Sequence, residues 1–227
     1  MKLATVQPCY LPWKGYFHLI QNVDHFVFFD DVQYPRGRTW RNRNQILVNG
    51  VPKWINVPVD RSAWRLNINE VTVREAYAEE HWRLIVEGYR KAPHFTQYES
   101  AVEDIVRYNE KMLCRLTVHQ TRELCRLLGI ETPTSLSSEL GIAGLHKTDR
   151  LVEMCRRLGA TEYVSGPSAS DYIEADKFAA AGIKLSYFEY QYPAYRQLSN
   201  EFTHFVSIID MIFNLGPETP NYIWGNL

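Results

Sequence analysis

Four arginines fall within eight residues, Arg36, Arg38, Arg41 and Arg43, and Trp40, Asn42 and Asn44 alternate with them. Planar guanidinium groups pair two-pronged with phosphates and carboxylates. The run therefore predicts a phosphate-bearing substrate, against the plainer reading of a solvated charged loop. Upstream, in Gln7–Phe17, Pro8 and Pro12 stiffen the backbone ahead of a helix whose unpaired amides can hold an anion. Gln7, Tyr10 and Trp13 are the expected contacts there; the alternative is that Tyr10, Trp13, Tyr16 and Phe17 cover a corner of the core. Between the two, Asp30-Asp31-Val32-Gln33-Tyr34 leaves the end of an apolar strand. Successive strand residues point to opposite faces, so at most one carboxylate enters the site. That one can deprotonate an amine or hydroxyl, orient a substrate or bind a divalent ion, while the other serves a turn or cap.

Later segments offer a second wall. His146-Lys147-Thr148-Asp149-Arg150 opens a helix, and Ser165-Gly166-Pro167 forms a small-residue turn whose amides can meet a ligand. Ser168 and Asp171 read either as cap and third helical residue or as ligand contacts. No complete dinucleotide or Walker glycine pattern accompanies them. Tyr190–Gln197 is again aromatic and polar, with Tyr192 and Gln197 as the expected contacts closing the same cleft. Cys9 reads as a nucleophile if His18, His25 or His146 approaches it, and otherwise as a small buried hydrophobe.

These residues need a scaffold, and hydrophobic patterning supplies one. Lys2–Val6 reads as a buried strand, Gly15–Asn22 as a short helix and Phe26–Phe29 as a second strand, the opening of a parallel α/β sheet. The Gln7–Trp13 loop then lies at a strand's carboxyl end, where open α/β sheets bind ligands. Asn49-Gly50 between two apolar runs predicts a hairpin over 45–59. Helices are expected at Arg74–Tyr89 and Tyr98–Leu128, a helical insertion over 74–129. Strands near Ser135–Leu140, Glu162–Ser165 and Lys184–Glu189 alternate with helices at Lys147–Leu158 and Ser168–Ala181. A final helix covers Thr203–Asn214, and a surface tail ends the chain. The expectation is one α/β domain over 1–227: a mainly parallel, Rossmann-like sheet flanked by helices, with the hairpin and the helical insertion.

Composition narrows the function classes. The 25 basic and 26 acidic residues nearly cancel, which argues against nucleic acid or an anionic membrane as partner, so an anion must be held locally. The first residues lack a signal peptide's apolar core, and no run of about 18 apolar residues can span a bilayer. A cytoplasmic protein without membrane insertion is expected. Four cysteines without C-x-x-C spacing suggest neither a zinc site nor a disulfide framework, and no metal ligands are assigned.

The stretches QPCYLPWKGYF, DDVQY, WRNRN, the Lys147–Arg150 helix start, YVSGPSASDYI and HFVSIIDMIFN together resemble the WbqC-like protein family over nearly the whole chain. Gln7, Pro8, Tyr10, Pro12, Trp13, Asp30, Asp31, Gln33, Tyr34, Asn42, Arg43 and Asn44 match the family pattern, which does not restrict position 9 to cysteine. The resemblance implies bacterial O-antigen or related surface-glycan biosynthesis. Joined to the arginine run, it implies a transferase acting on a nucleotide-linked amino sugar by N-acyl or N-aminoacyl transfer. The donor would be a thioester on a carrier protein or coenzyme A, and no other cofactor is identified. Arg36, Arg38, Arg41 and Arg43 would hold the diphosphate, Tyr10, Trp13 and Tyr34 would stack, and Asp30, Asp31 and His146 would do acid–base work. The opening is also similar, more distantly, to the nucleotide-binding half of nucleotidylyltransferases and pantothenate synthetases, without their H-x-G-H signature between Tyr10 and His18. An ATP-dependent ligase or adenylating enzyme, and a non-catalytic glycan-pathway binding protein, are the alternatives.

Overall fold

The computed structural model describes residues 1–74, 76–169 and 171–224, with Ser168 described by its backbone only. Five strands form a parallel sheet: β1 (Lys2–Val6), β2 (His25–Phe28), β5 (Thr134–Leu136), β6 (Glu162–Ser165) and β7 (Lys184–Tyr187). Two more, β3 (Arg43–Val48) and β4 (Val51–Asn56), make an antiparallel hairpin. The chain divides into two compact units, the first built from Met1–Gln7, Leu19–Val32 and Ile130–Gln191, the second from Pro8–His18, Gln33–Gly129 and Tyr192–Leu227.

Unit 1 holds the parallel sheet in the spatial order β5-β2-β1-β6-β7. Phe26, Val27 and Phe28 are fully buried, as strands covered on both faces require. Counted along the chain, the five strands run 3-2-1-4-5, so the order reverses at β1, between β2 on one side and β6 on the other. Doubly wound sheets bind ligands outside the strands' carboxyl ends at such a reversal. Here those ends are Val6 with Gln7, and Ser165 with Gly166. Helix α1 (Lys14–Gln21) joins β1 to β2 in the chain, and α5 (Lys147–Leu158) turns Leu151, Val152, Met154 and Cys155 into the core with Leu3, Val27, Tyr163 and Phe178. The helix stops at Gly159, whose φ of +69° suits a residue without Cβ. A helix was expected from Ser168, but α6 (Ala175–Ala180) starts later, after a short 3-10 turn at Pro167–Ala169. The Ser168 cap lies outside the described side chains.

In unit 2 the hairpin turns at Asn49 and Gly50, with φ of +51° and +77°, the positive pair of a type I′ turn. Helix α2 (Ala78–Tyr89) lies tightly against β3: Tyr89 Oη accepts from Leu47 N at 2.9 Å. A Cβ on Gly88 would meet Leu47 O at 2.0 Å, so only glycine allows this approach.

The single helix expected over Tyr98–Leu128 is two, α3 (Phe95–Arg107) and α4 (Leu113–Leu127). The break is a tertiary effect, because Val73 N donates to Lys111 O and Leu113 N to Val71 O, holding 108–112 extended. The same pairing delays α2 to Ala78, with Arg74 N bonded to Pro58 O. Helix α7 (Ile208–Leu215) begins five residues later than expected, capped by Ser207, whose hydroxyl accepts from Ile209 N at 3.4 Å. The expected surface tail is instead a 3-10 turn and a short helix, α8 (Thr219–Ile223). Thr219 and Ile223 are buried there, and Thr219 Oγ1 donates to Met211 O at 3.2 Å. Among the described residues no helix is long and apolar enough to cross a membrane.

Candidate functional site

Arg38 and Arg43 of the arginine run, but not Arg36 or Arg41, line a cavity of about 560 Å³ in unit 2, bounded also by Tyr34, Trp54, Asp60, Arg61 and Trp64. Two loop segments are tied together to make it. Tyr34 N donates to Leu66 O at 2.9 Å, and Gln33 Nε2 donates to Trp64 O at 2.8 Å. Gly37, at φ +86°, lets the chain turn between Arg36 and Arg38. Asp60 orders the second segment, its Oδ1 accepting from Ser62 N at 2.8 Å and from Ser62 Oγ at 2.7 Å.

Arg43 sets the cavity's character. Its guanidinium lies 3.9 Å from the Trp54 ring centroid, and its buried Nε has no hydrogen-bond partner among the described residues. Burial, then the neighbouring Arg38, lower its pKa, with Tyr34 opposing. Like charges held together are relieved by a bound anion, and desolvation strengthens that attraction. Trp54 packs on Trp40 at 5.1 Å, and Arg36 and Arg65 each lie 5.1 Å from the Trp64 ring. Cation–aromatic pairs of this kind keep guanidiniums flat and oriented.

Other expected contacts of unit 2 are taken up in internal bonding. Asn44 is 3% exposed; its Nδ2 donates to Tyr10 O and Leu11 O, and its Oδ1 accepts from Gln45 N. This clamps Leu11 at φ +40°. Asn42 lines the cavity as expected, while its Nδ2 donates to Asn56 Oδ1 and Val57 O at the hairpin's base. Tyr10 is fully buried, its hydroxyl 2.8 Å from His81 Nδ1. Trp13 meets Tyr192 edge-on at 6.0 Å, and Tyr192 Oη also bonds His18 Nδ1 at 2.9 Å. The Gln197 amide donates to Tyr195 Oη, Thr203 O and Asp210 Oδ2 and accepts from Thr203 N. Arg41 Nη1 donates to Cys9 Sγ at 2.7 Å. Burial pushes the Cys9 thiol pKa up despite Arg41, which favours the protonated form over a nucleophilic thiolate.

Asp30, Asp31 and the later candidates through Gly166 and Asp171 belong to unit 1. Asp30 is 1% exposed and accepts from Ser138 N at 3.0 Å and Ser138 Oγ at 2.7 Å. Ser137 Oγ reaches both Asp30 and Asp31. Asp31 forms a buried ion pair with Arg150, which lies 4.9 Å from the Phe29 ring. A charged cluster thus orders the carboxyl ends of β2 and β5. Gln7 ends β1; Ser165, buried, and Gly166 end β6. His146 and Lys147 are exposed at the head of α5, and Asp171 is exposed beyond the 3-10 turn.

The sequence reading missed Trp54, Asn56, Asp60, Arg61 and Trp64 in the cavity wall. A signal existed: Asp60-Arg61-Ser62-Ala63-Trp64-Arg65 repeats the arginine–tryptophan interleaving of Arg38–Arg43.

Residues 7–222 match the sequence profile of the WbqC-like protein family. The uncharacterized protein Rv1507c of Mycobacterium tuberculosis is 39% identical over 228 residues, covering 98% of this chain and 97% of the relative. No solved structure matches the chain.

Proposed function

The chain belongs to the WbqC-like protein family, and from that premise we propose a transferase of surface-glycan biosynthesis that binds a nucleotide-linked amino sugar by its diphosphate. The observation that carries the reading is the unit 2 cavity, in which Arg38, Arg43 and Arg61 line one space walled by Trp54 and Trp64. Guanidiniums suit the phosphate oxygens, and the indoles that hold them supply an apolar wall for a base or sugar ring. In the transfer, the sugar's amine attacks a thioester carbonyl on a carrier protein or coenzyme A. A C–N bond forms, the C–S bond breaks, and the sulfur leaves as a thiol with the proton the amine gives up. Of the acid–base candidates Asp30, Asp31 and His146, the two carboxylates are engaged by Ser137, Ser138 and Arg150, and His146 is the exposed one that would do the proton transfer.

Calorimetric titration with uridine- and thymidine-diphosphate amino sugars tests the binding half. Charge-assisted hydrogen bonds contribute about 1.5–3 kcal/mol each, so Arg43→Ala should weaken binding roughly 10- to 100-fold. Absence of binding by every probe, or binding indifferent to Arg43→Ala, overturns the reading. Thioester-dependent N-acylation tests the chemistry, with His146→Gln expected to lower turnover at unchanged nucleotide-sugar affinity. A second reading, ATP-dependent ligation or adenylation, is favoured by the strand-order reversal at β1. Magnesium-dependent release of pyrophosphate or ADP from ATP would support it.

A further inference from the structure

Lys14, at the start of α1, is only 3% exposed, where an ammonium is rarely found. Its Nζ lies 5.0 Å from the Tyr192 ring centroid, 5.2 Å from that of Tyr195 and 5.5 Å from that of Phe202, three rings that favour the charge. It bonds to His204 Nδ1 at 2.6 Å. His204 is half-buried, packs edge-on against Phe202 at 4.5 Å, and belongs to residues 198–206, which form neither helix nor strand. That segment is pinned at its ends, where the Gln197 amide pairs with Thr203 N and O and Ser207 N donates to Gln45 O at 2.8 Å. The Lys14–His204 bond fastens it to α1.

Such a pair holds one charge well and two badly. Singly charged, the ammonium donates to a neutral imidazole, or the imidazolium donates to a neutral amine. Doubly charged, neither nitrogen accepts, and two cations stand in contact. Burial draws Lys14 down to about 8, with Asp210 opposing, and burial and then Lys14 draw His204 below its ordinary 6.5. The groups packed around the pair do not relieve it. Asp210 commits Oδ2 to Tyr195 Oη and Gln197 Nε2, and burial raises its pKa. Tyr195 is held in its neutral form by burial, and Tyr192 bonds the imidazole of His18, whose own pKa burial lowers. Arg196 and Glu201 are exposed. Since both members of the pair bind protons less well when joined, the closed arrangement is favoured at high pH and weakens as pH falls below 6.5.

We propose that residues 198–206 are an acid-sensitive strap, latched over the buried Lys14 by its hydrogen bond to His204 and released when both groups carry a proton. Release uncovers the Lys14 ammonium and the rings of Tyr192 and Tyr195 around it.

The test is hydrogen exchange of the whole chain read by mass spectrometry, corrected for intrinsic rates, at about pH 7.5 and about pH 5, on either side of the ordinary histidine value. Wild type is compared with His204→Gln, which keeps an acceptor for Lys14 but takes no proton, and with Lys14→Met, which keeps much of the bulk and removes the charge. In the wild type, protection over 198–206 should fall about tenfold at the lower pH while β3 and α7 keep theirs, a modest effect because solvent at His204 screens the repulsion. His204→Gln should show no such fall. Lys14→Met should show none either, whatever its protection at neutral pH, and if it fails to fold the His204→Gln comparison decides alone. Wild-type protection that does not change with pH, a fall that His204→Gln retains, or a loss shared equally by β3 and α7 overturns the inference.

Discussion

Replacing Asn44 by alanine distinguishes a clamp from a ligand contact. The side chain makes three buried hydrogen bonds: Nδ2 to Tyr10 O at 3.3 Å and Leu11 O at 2.6 Å, and Oδ1 from Gln45 N at 2.8 Å. Each buried polar group left unpaired costs about 1–3 kcal/mol, and relaxation recovers part of it, so a net loss of roughly 3–5 kcal/mol is expected. Leu11, at φ +40° in a region unfavourable for a residue with a Cβ, then loses the side-chain amide that bonds its carbonyl. At about 2–4 °C per kcal/mol for a chain of this size, the melting temperature should fall by roughly 10 °C. Asn44→Asp should fall at least as far, since it sets a carboxylate oxygen against two carbonyls. Urea unfolding of the three proteins measures the loss, and diphosphate titration of the folded fraction measures the site. A loss below about 1 kcal/mol together with abolished diphosphate binding would refute the clamp and restore Asn44 as a ligand contact.

Other substitutions probe separate parts of the fold. Burial lowers the His81 pKa from 6.5 to about 4, with Glu80 and then the Asn56 amide opposing. The unfolded chain therefore binds the extra proton first. This contribution is complete above pH 6.5 and is lost as pH falls toward 4, about 3 kcal/mol in all; denaturant midpoints across that window should flatten in His81→Gln. Gly88→Ala drives a methyl into Leu47 O and should cost about 1–3 kcal/mol or more by overpacking, read as a lower urea midpoint. Arg150→Met leaves Asp31 buried without its cation and should cost about 3–5 kcal/mol, whereas Arg150→Met with Asp31→Leu should recover much of it in a double-mutant cycle.

Local chemistry made part of the fold legible. Asn49-Gly50 specified its turn because few other pairs adopt two positive φ angles, and Phe26–Phe28 announced a strand buried on both faces. The extended 108–112 segment was hidden because its partner, Val71–Val73, lies far away in sequence, and an apolar helical period crosses the break. Thr219 and Ile223 misled for a related reason: a Pro-rich ending looks solvated until Met211 supplies a partner. In the site, arginine–tryptophan spacing exposed Arg38 and Arg43. Asn44 and Gln197 read equally well as ligand contacts, since an amide's polarity does not reveal which carbonyls it will meet.

The strand order also sets a timetable for synthesis. β1 pairs with β6, Lys2 opposite Glu162 and Leu3 opposite Tyr163, so its neighbour leaves the ribosome about 160 residues later, some ten to thirty seconds at about 5–20 residues per second. Until β5 emerges, both outer edges of the β1–β2 pair are open to any passing strand, and that of β1 stays open until β6 follows. A chaperone that shields those edges during translation should raise the yield of this protein more than one supplied after release.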